Sequence, residues 1–195
     1  MIALIILAAG SSSRLGKPKQ NLVFQGSTLL QRSINAALAA DCQKVLVVLG
    51  ANAQVIEPTI KNDPIQIIHN PDWETGMSSS ISCGLSALLK ANPRMKAVIL
   101  MLCDQPFADT SIINQLIQAS ASNKPLVACN YNGTIGVPAL FDKTHFEELL
   151  ALQGNEGAKK LLLKYTDEVH TVPFPLGMID IDTIGDYERL EIRGN

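Results

Sequence analysis

The sequence predicts a three-layer α/β domain, with helices on both faces of a mostly parallel sheet. Three observations predict it. Apolar runs of strand length, Ile2–Ala9 and Ala97–Cys103 among them, are nearly continuous rather than alternating, as strands covered on both faces require. Segments with apolar residues at helical spacing stand between these runs, and that βαβα rhythm implies parallel strands joined by crossover helices. The chain has 195 residues, 47% hydrophobic and 17% charged, which is enough apolar material for a core and too little charge for disorder. One domain is expected over residues 1–195.

The elements follow in order. Ile2–Ala8 is the first strand and runs into a Gly/Ser loop. Thr28–Ala39 is a helix, with Leu29, Leu30, Ile34, Ala37 and Leu38 on one face. Lys44–Leu49 is a second buried strand, and Gln54–Ile60 a short helix interrupted by Pro58. Ile65–His69 is a third strand, stopped by the turn Asn70-Pro71-Asp72. Ser79–Leu89 is a helix and Lys96–Leu102 a fourth strand. Thr110–Ala121 is a helix capped by Asp109 or Thr110, and Pro125–Cys129 a fifth strand. Beyond Tyr131 the rhythm loosens. Pro138–Phe141 is a short strand, and His145–Leu152 and Glu156–Tyr165 are helices around Gln153-Gly154-Asn155. Glu168–Val172 and Met178–Asp182 are strand-like, and Ile184–Leu190 is a last helix. The whole reads as Rossmann-like, so ligands are expected outside the carboxyl ends of the strands, at the loops after Ala8, Leu49, His69, Leu102 and Cys129.

Composition narrows the function. Lys plus Arg number 16 and Asp plus Glu 18, a formal net charge of −2. Nucleic acid as the main partner is not expected from that balance, although a local basic pocket for a small anion is compatible with it. No apolar run approaches the ~20 residues that span a bilayer, so no membrane association is expected. The N-terminal run lacks a basic flank and reads as a strand rather than a secretory signal. Cys42, Cys83, Cys103 and Cys129 show no CxxC or Cys/His metal spacing, which fits reduced thiols and a cytoplasmic location. His69, His145 and His170 form no ligand set or Ser-His-Asp pattern and are read as structural.

Four segments carry candidate chemistry. The first is Leu7-Ala8-Ala9-Gly10-Ser11-Ser12-Ser13-Arg14-Leu15-Gly16-Lys17-Pro18-Lys19, a strand running into a small-residue loop with three cations. Small residues let backbone N–H groups approach phosphate oxygens, and Arg14 and Lys19 can neutralise polyphosphate charge. It is not a Walker A loop: five residues separate Gly10 from Gly16, and Pro18 stands where a Ser or Thr would hold Mg²⁺. The second is Asp104 in Leu102-Cys103-Asp104-Gln105-Pro106, directly after an apolar strand. A carboxylate there suits Mg²⁺, or alternatively caps a turn. The third is Asp180 and Asp182 in Met178–Thr183, on one face if the segment is a strand. They are either a second metal ligand or the polar face of an edge strand. The fourth is Glu74-Thr75-Gly76-Met77-Ser78-Ser79-Ser80-Ile81, preceding a helix, where N–H donors and hydroxyls converge to read a base or sugar, or simply to cap the helix.

Together and in this order, these motifs resemble the nucleotidyltransferases that include the molybdenum cofactor nucleotidyltransferases, and most of all their molybdenum cofactor cytidylyltransferase (MocA-like) branch. Leu7 to Lys19 match the family's L-A-A-G-x-S-x-R-M-G-x-P-K, with Leu15 for Met. Gly76 to Ile81 match G-x-x-x-S-[LI], Asp104-Gln105-Pro106 match D-Q-P, and Asp180 to Thr183 with Asp186 match D-I-D-T-x-x-D. Leu152 to Lys159 are similar to L-x-G-D-x-G-A-R, departing at Asn155 and Lys159. Val137 stands where many members carry His before a proline, so no role of that His toward the acceptor transfers.

The resemblance implies a Mg²⁺-dependent transfer, with Mn²⁺ as the alternative, of CMP from CTP to a molybdopterin-type cofactor with release of pyrophosphate. By the same resemblance Leu7, Ala8, Ala9 and Gly10 position base and ribose, and the amides around Ser11, Ser12 and Ser13 cradle the phosphates. Arg14 and Lys19 hold the triphosphate, Ser80 meets the base with Gly76 among the nucleotide-binding residues, and Asp104 with Asp182 holds the metal, Asp180 being the alternative ligand. GTP or another NTP, and a sugar or polyol phosphate acceptor, are the neighbouring readings. A non-catalytic chaperone for the cofactor is the reading from another class. Transient contact with a molybdoenzyme or its chaperone is implied as well.

Overall fold

The computed structural model describes residues 1–194. Its seven-stranded sheet has the order β5-β4-β1-β6-β8-β7-β9. These strands are β1 (Ile2–Ala8), β4 (Lys44–Leu49), β5 (Gln66–His69), β6 (Ala97–Leu102), β7 (Leu126–Tyr131), β8 (Thr134–Asp142) and β9 (Val169–Pro173), and β2 (Val23–Phe24) pairs only with β3 (Ser27–Thr28). β1 lies between β4 and β6, parallel to both, and every residue from Ala3 to Ala8 is buried. β5 and β9 also pair in parallel, whereas β8 runs antiparallel to β6 and β7.

The continuous apolar runs are explained by two cores, one on each face of the sheet. Leu4, Ile6 and Ala8 point to the face covered by α1 (Leu29–Leu38), α2 (Ala53–Ile60) and α4 (Thr110–Ala119), where Ile34, Ile56 and Ile113 meet them. Ala3, Ile5 and Leu7 point to the other face, under Ile81 and Leu85 of α3 (Met77–Ala91), Leu149 of α5 (Phe146–Leu150) and Leu162 of α6 (Lys159–Lys164). The Thr28 side chain caps α1 by accepting from Gln31 N–H, and Asp109, rather than Thr110, caps α4 by accepting from Ile112 N–H. A third, smaller cluster joins Leu15, Leu22, Phe24 and Leu29 to Ile181 and to Leu190 of α7 (Ile184–Gly194). It ties the loop after β1 to the segment before α7.

Three differences from the sequence reading matter. β8 is a nine-residue antiparallel strand, not a short one. Its register shifts opposite Ala128/Cys129, and Val137-Pro138 falls in that irregularity, where a missing N–H breaks no ladder bond. Residues 178–182 are not a strand. Pro175–Met178 form a 3₁₀ turn, and Ile181 is drawn inward by the third cluster while its N–H donates to the Asp104 carbonyl. Pro58 lies inside α2 rather than breaking it. No helix among the described residues is long and apolar enough to cross a membrane.

Candidate nucleotide cleft

From β1 the strand order steps one way to β4 and β5 and the other way to β6, with all four strands parallel, and crevices open at such switch points beyond the carboxyl ends of the strands. A cleft of about 400 Å³ lies there. Leu7, Ala8, Ala9, Gly10, Ser11 and Lys19 line it from the β1 side, Gly76 and Ser80 from α3, and Asp104 from the end of β6. The structure therefore brings nine of the sequence-predicted residues to one cavity.

Ser12, Ser13 and Arg14 do not line it. Ser12 instead shapes the loop, in a left-handed conformation with φ 56°, and its Oγ accepts from Lys19 N–H at 3.0 Å. Arg14 lies in the one-turn 3₁₀ segment Ser13–Leu15, with its side chain largely exposed, and pairs with Asp182 at 2.8 Å.

The charged floor is a chain of ion pairs. The Lys19 ammonium stands between two carboxylates, 2.6 Å from Asp104 Oδ2 and 3.0 Å from Asp182 Oδ1. Burial works against the Lys19 charge, but Asp104 and then Asp182 outweigh it and hold its pKa well above the ordinary lysine value. Partial burial likewise opposes the Asp182 charge, and Lys19 and Arg14 outweigh it, so this carboxyl lies below the usual range. Asp180 makes no contact with Lys19 and lines a separate cleft with Asp186 and Arg189. Crowding by protein, then the like charges of Asp104 and Asp182, hold its carboxyl above the usual range. Asp104 is buried, and its Oδ1 has no hydrogen-bond partner.

Sequence reasoning missed several residues. Gln20 is 1% exposed, and its Nε2 donates to the carbonyls of Ala8 at 2.8 Å and Gly10 at 3.2 Å. It holds the two ends of the turn after β1 together. A polar residue between Lys19 and the apolar Leu22 was the available signal. Trp73 also lines the cleft, together with Glu74, Met77, Leu102, Cys103 and Asn155, which stand in the quoted motifs without a role of their own. Burial and then the charge of Asp104 push the Cys103 thiol up to about 12, so it lines the cleft as an unionised group. Among the described residues no histidine lines the cleft.

Gly76 explains how the Gln153-Gly154-Asn155 loop reaches this site. Its φ is 114°, and a Cβ there would lie 2.2 Å from the Gly154 carbonyl oxygen. Ser78 N–H and Oγ donate to that same oxygen at 3.2 and 2.8 Å. Only glycine lets the loop close over the start of α3.

A crevice at the topological switch point is where open α/β sheets bind their ligands, and here a lysine paired with a carboxylate lines it. The chain belongs to the MobA-like NTP transferase domain family, whose pattern spans residues 4–169, and it is a nucleotidyltransferase. It is 28% identical over 187 residues to the molybdenum cofactor cytidylyltransferase of Escherichia coli (strain K12), covering 94% of this chain and 92% of that one. It is 35% identical over 114 residues to the nicotine blue oxidoreductase of Paenarthrobacter nicotinovorans, covering 58% of this chain and 54%, about half, of that relative. The crystal structure of Rv0371C from Mycobacterium tuberculosis, a manganese complex, superposes with a TM-score of 0.81 at 28% identity over 98% of each chain.

Proposed function

We propose that this chain transfers a cytidylyl group from CTP to the terminal phosphate of a molybdopterin-type cofactor, acting as one cytoplasmic domain over residues 1–195. An oxygen of the acceptor phosphate attacks the α-phosphorus of CTP. The bond from that phosphorus to the bridging oxygen breaks, and its electrons leave on pyrophosphate. A phosphate nucleophile is already ionised at neutral pH, so no general base is needed, which agrees with a cleft lined by no histidine. What remains is alignment and charge neutralisation.

The observation that carries this reading is Lys19, seated between Asp104 and Asp182 at the mouth of a small-residue loop. In it, Leu7 to Gly10 seat base and ribose and the amides of Ser11 to Ser13 meet the phosphates. Arg14 and Lys19 hold the triphosphate and the departing charge, and Gly76 and Ser80 meet the base. The choice of CTP and of the acceptor rests on the full-length likeness to the Escherichia coli enzyme.

The residues fit a magnesium ion, or manganese as held by the Mycobacterium tuberculosis relative. Asp104 has a buried oxygen without a partner, and Asp182 shares Lys19 with it. Among the described residues no three His, Cys, Asp or Glu form a ready cage. Two carboxylates are nonetheless what Mg²⁺ takes when water and substrate phosphates supply the rest. When bound, the ion supplies Lewis-acid neutralisation of the phosphate charge.

The test is pyrophosphate release with each NTP and a purified molybdopterin-type acceptor. Release with CTP and that acceptor is expected. Release only with GTP, or only with a sugar or polyol phosphate, replaces the nucleotide or the acceptor. Tight acceptor binding with no release from any NTP would indicate a carrier instead.

A further inference from the structure

Asn70 follows β5 directly and is 3% exposed. Its Oδ1 accepts from Asp72 N–H at 3.0 Å. A backbone amide only donates, so that bond fixes which way the Asn70 side chain faces. Its Nδ2 therefore turns toward the start of α3, 2.9 Å from Ser79 Oγ and 3.0 Å from Ser80 Oγ. Both hydroxyl oxygens must accept. The Ser79 hydrogen has carbonyls within reach, Gly76 at 2.8 Å and Asp72 at 3.0 Å. Ser80 is buried against the cleft, and among the described residues no acceptor bonds its hydroxyl. With its oxygen engaged by Asn70, its hydrogen has only the cleft to meet.

We infer that Asn70 biases the polarity of base recognition: it takes one lone pair of Ser80 Oγ and leaves the Ser80 hydrogen, which no protein acceptor among the described residues bonds, to donate into the cleft. The seat then takes a base that turns an unprotonated ring nitrogen or a carbonyl oxygen toward α3. This rests on the proposed reading of the cleft as the nucleotide seat. Cytosine carries both acceptors side by side, at N3 and O2. A guanine turning its N1–H and amino group there would set donor against donor. Asn70 does not line the cleft, so it is a positioning residue that acts through Ser80.

Trp73 is the sole tryptophan and lines the cleft, so its fluorescence reads nucleotide binding without turnover. Asn70→Asp keeps the shape and the Asp72 bond but turns the donor into an acceptor. Both hydroxyl hydrogens are then drawn to the carboxylate, and the Ser80 lone pairs face the base. We expect the Kd for CTP to rise about tenfold in Asn70→Asp and comparably in Ser80→Ala. Adding Asn70→Asp to Ser80→Ala should change Kd by less than about twofold, because the two act through one hydrogen bond. Equal effects of Asn70→Asp in both backgrounds would overturn the inference. Should Asn70→Asp fail to fold, Ser80→Ala decides alone, since it leaves the Asn70–Ser79 bond intact, and an unchanged CTP affinity overturns the inference. If the unmodified protein binds GTP more tightly than CTP, the cytidylyl reading falls. The same coupling, measured with GTP, then still decides the polarity.

Discussion

The two walls of the cleft are built on opposite principles. The turn after β1 is held by neutral, buried hydrogen bonds, Gln20 to the carbonyls of Ala8 and Gly10 and Ser12 to the Lys19 amide. The charged wall begins at Lys19, held between Asp104 in the cleft and Asp182 beyond its lining, with Arg14 on the far side of Asp182. Neutral bonds of that kind fix a shape, because leaving a buried carbonyl unpaired costs about 1–3 kcal/mol. A cation shared by two carboxylates fixes little. An arriving polyphosphate offers Lys19 the same negative charge, and the carboxylates can exchange Lys19 for another cation. The first wall is a mould and the second a set of replaceable partners.

The largest expected effect lies on the charged wall. Asp104→Asn is nearly isosteric at the end of β6 but removes the negative charge opposite Lys19. With Asp104 as a ligand of the proposed metal, losing that neutralisation should lower kcat about 10³-fold or more while the melting temperature changes little. A variant that keeps near-normal kcat at saturating Mg²⁺ would make Asp104 a structural partner of Lys19 only.

Next comes the mould. Gln20→Leu fills the same space but leaves the Ala8 and Gly10 carbonyls without their donor. A loss of about 2–4 kcal/mol in unfolding free energy is expected, read by denaturant titration. KM for the nucleotide should rise more than kcat falls. If kcat collapsed at unchanged KM, the loop would belong with the chemistry rather than with the seat.

How much of this contrast was legible in the sequence follows the same division. β1, β4 and β6 are readable because burial on both faces leaves continuous apolar runs. Arg14, Lys19 and Asp104 are readable because charges beside such runs are conspicuous. Gln20 and Asn70 were not, since an amide that bonds to backbone or to serines has no sequence period and no partner at fixed spacing. Met178–Asp182 misled for a physical reason. Its alternation of apolar and acidic residues fits a strand, yet Ile181 is buried by the third cluster and the half-buried Asp182 is held by its ion pairs, with no sheet neighbour. The nine residues of β8 were obscured by Gly136 and Pro138, which sit where the register with β7 slips. The hairpin of β2 and β3 was missed because two residues a side carry no period.

Arg14→Ala should be milder than either change above. The side chain is 68% exposed, so its pair with Asp182 contributes little by itself. In the proposed reading it makes a charge-assisted contact with polyphosphate, worth about 1.5–3 kcal/mol, and kcat/KM for the NTP should fall accordingly while acceptor binding is unaffected. An unchanged rate would leave Arg14 as a solvated partner of Asp182.

The smallest effect is expected at Ala9, where the proposed reading brings the mould against the base. Ala9 is 6% exposed, lines the cleft, and its carbonyl accepts from Ala51 N–H at 3.1 Å. Its backbone is therefore pinned, and replacing Ala9 with Gly removes one methyl from the wall without moving the wall. A Cβ there narrows the slot, which suits a one-ring pyrimidine and crowds a two-ring purine. One methylene-sized group in a pocket is worth about 1–3 kcal/mol, and Ala9 belongs at the low end because the cleft is open on its other side. Ala9→Gly should therefore lower the CTP-over-GTP ratio of kcat/KM about five- to tenfold in a direct competition, with total turnover nearly unchanged. Gly also adds backbone freedom to the unfolded chain, at a cost of up to about 1 kcal/mol in stability, so the competition is run well below the melting temperature. A ratio that does not move would assign selectivity entirely to the α3 side, where Ser80 and Asn70 act, and would make the β1 loop a seat for ribose and phosphates alone.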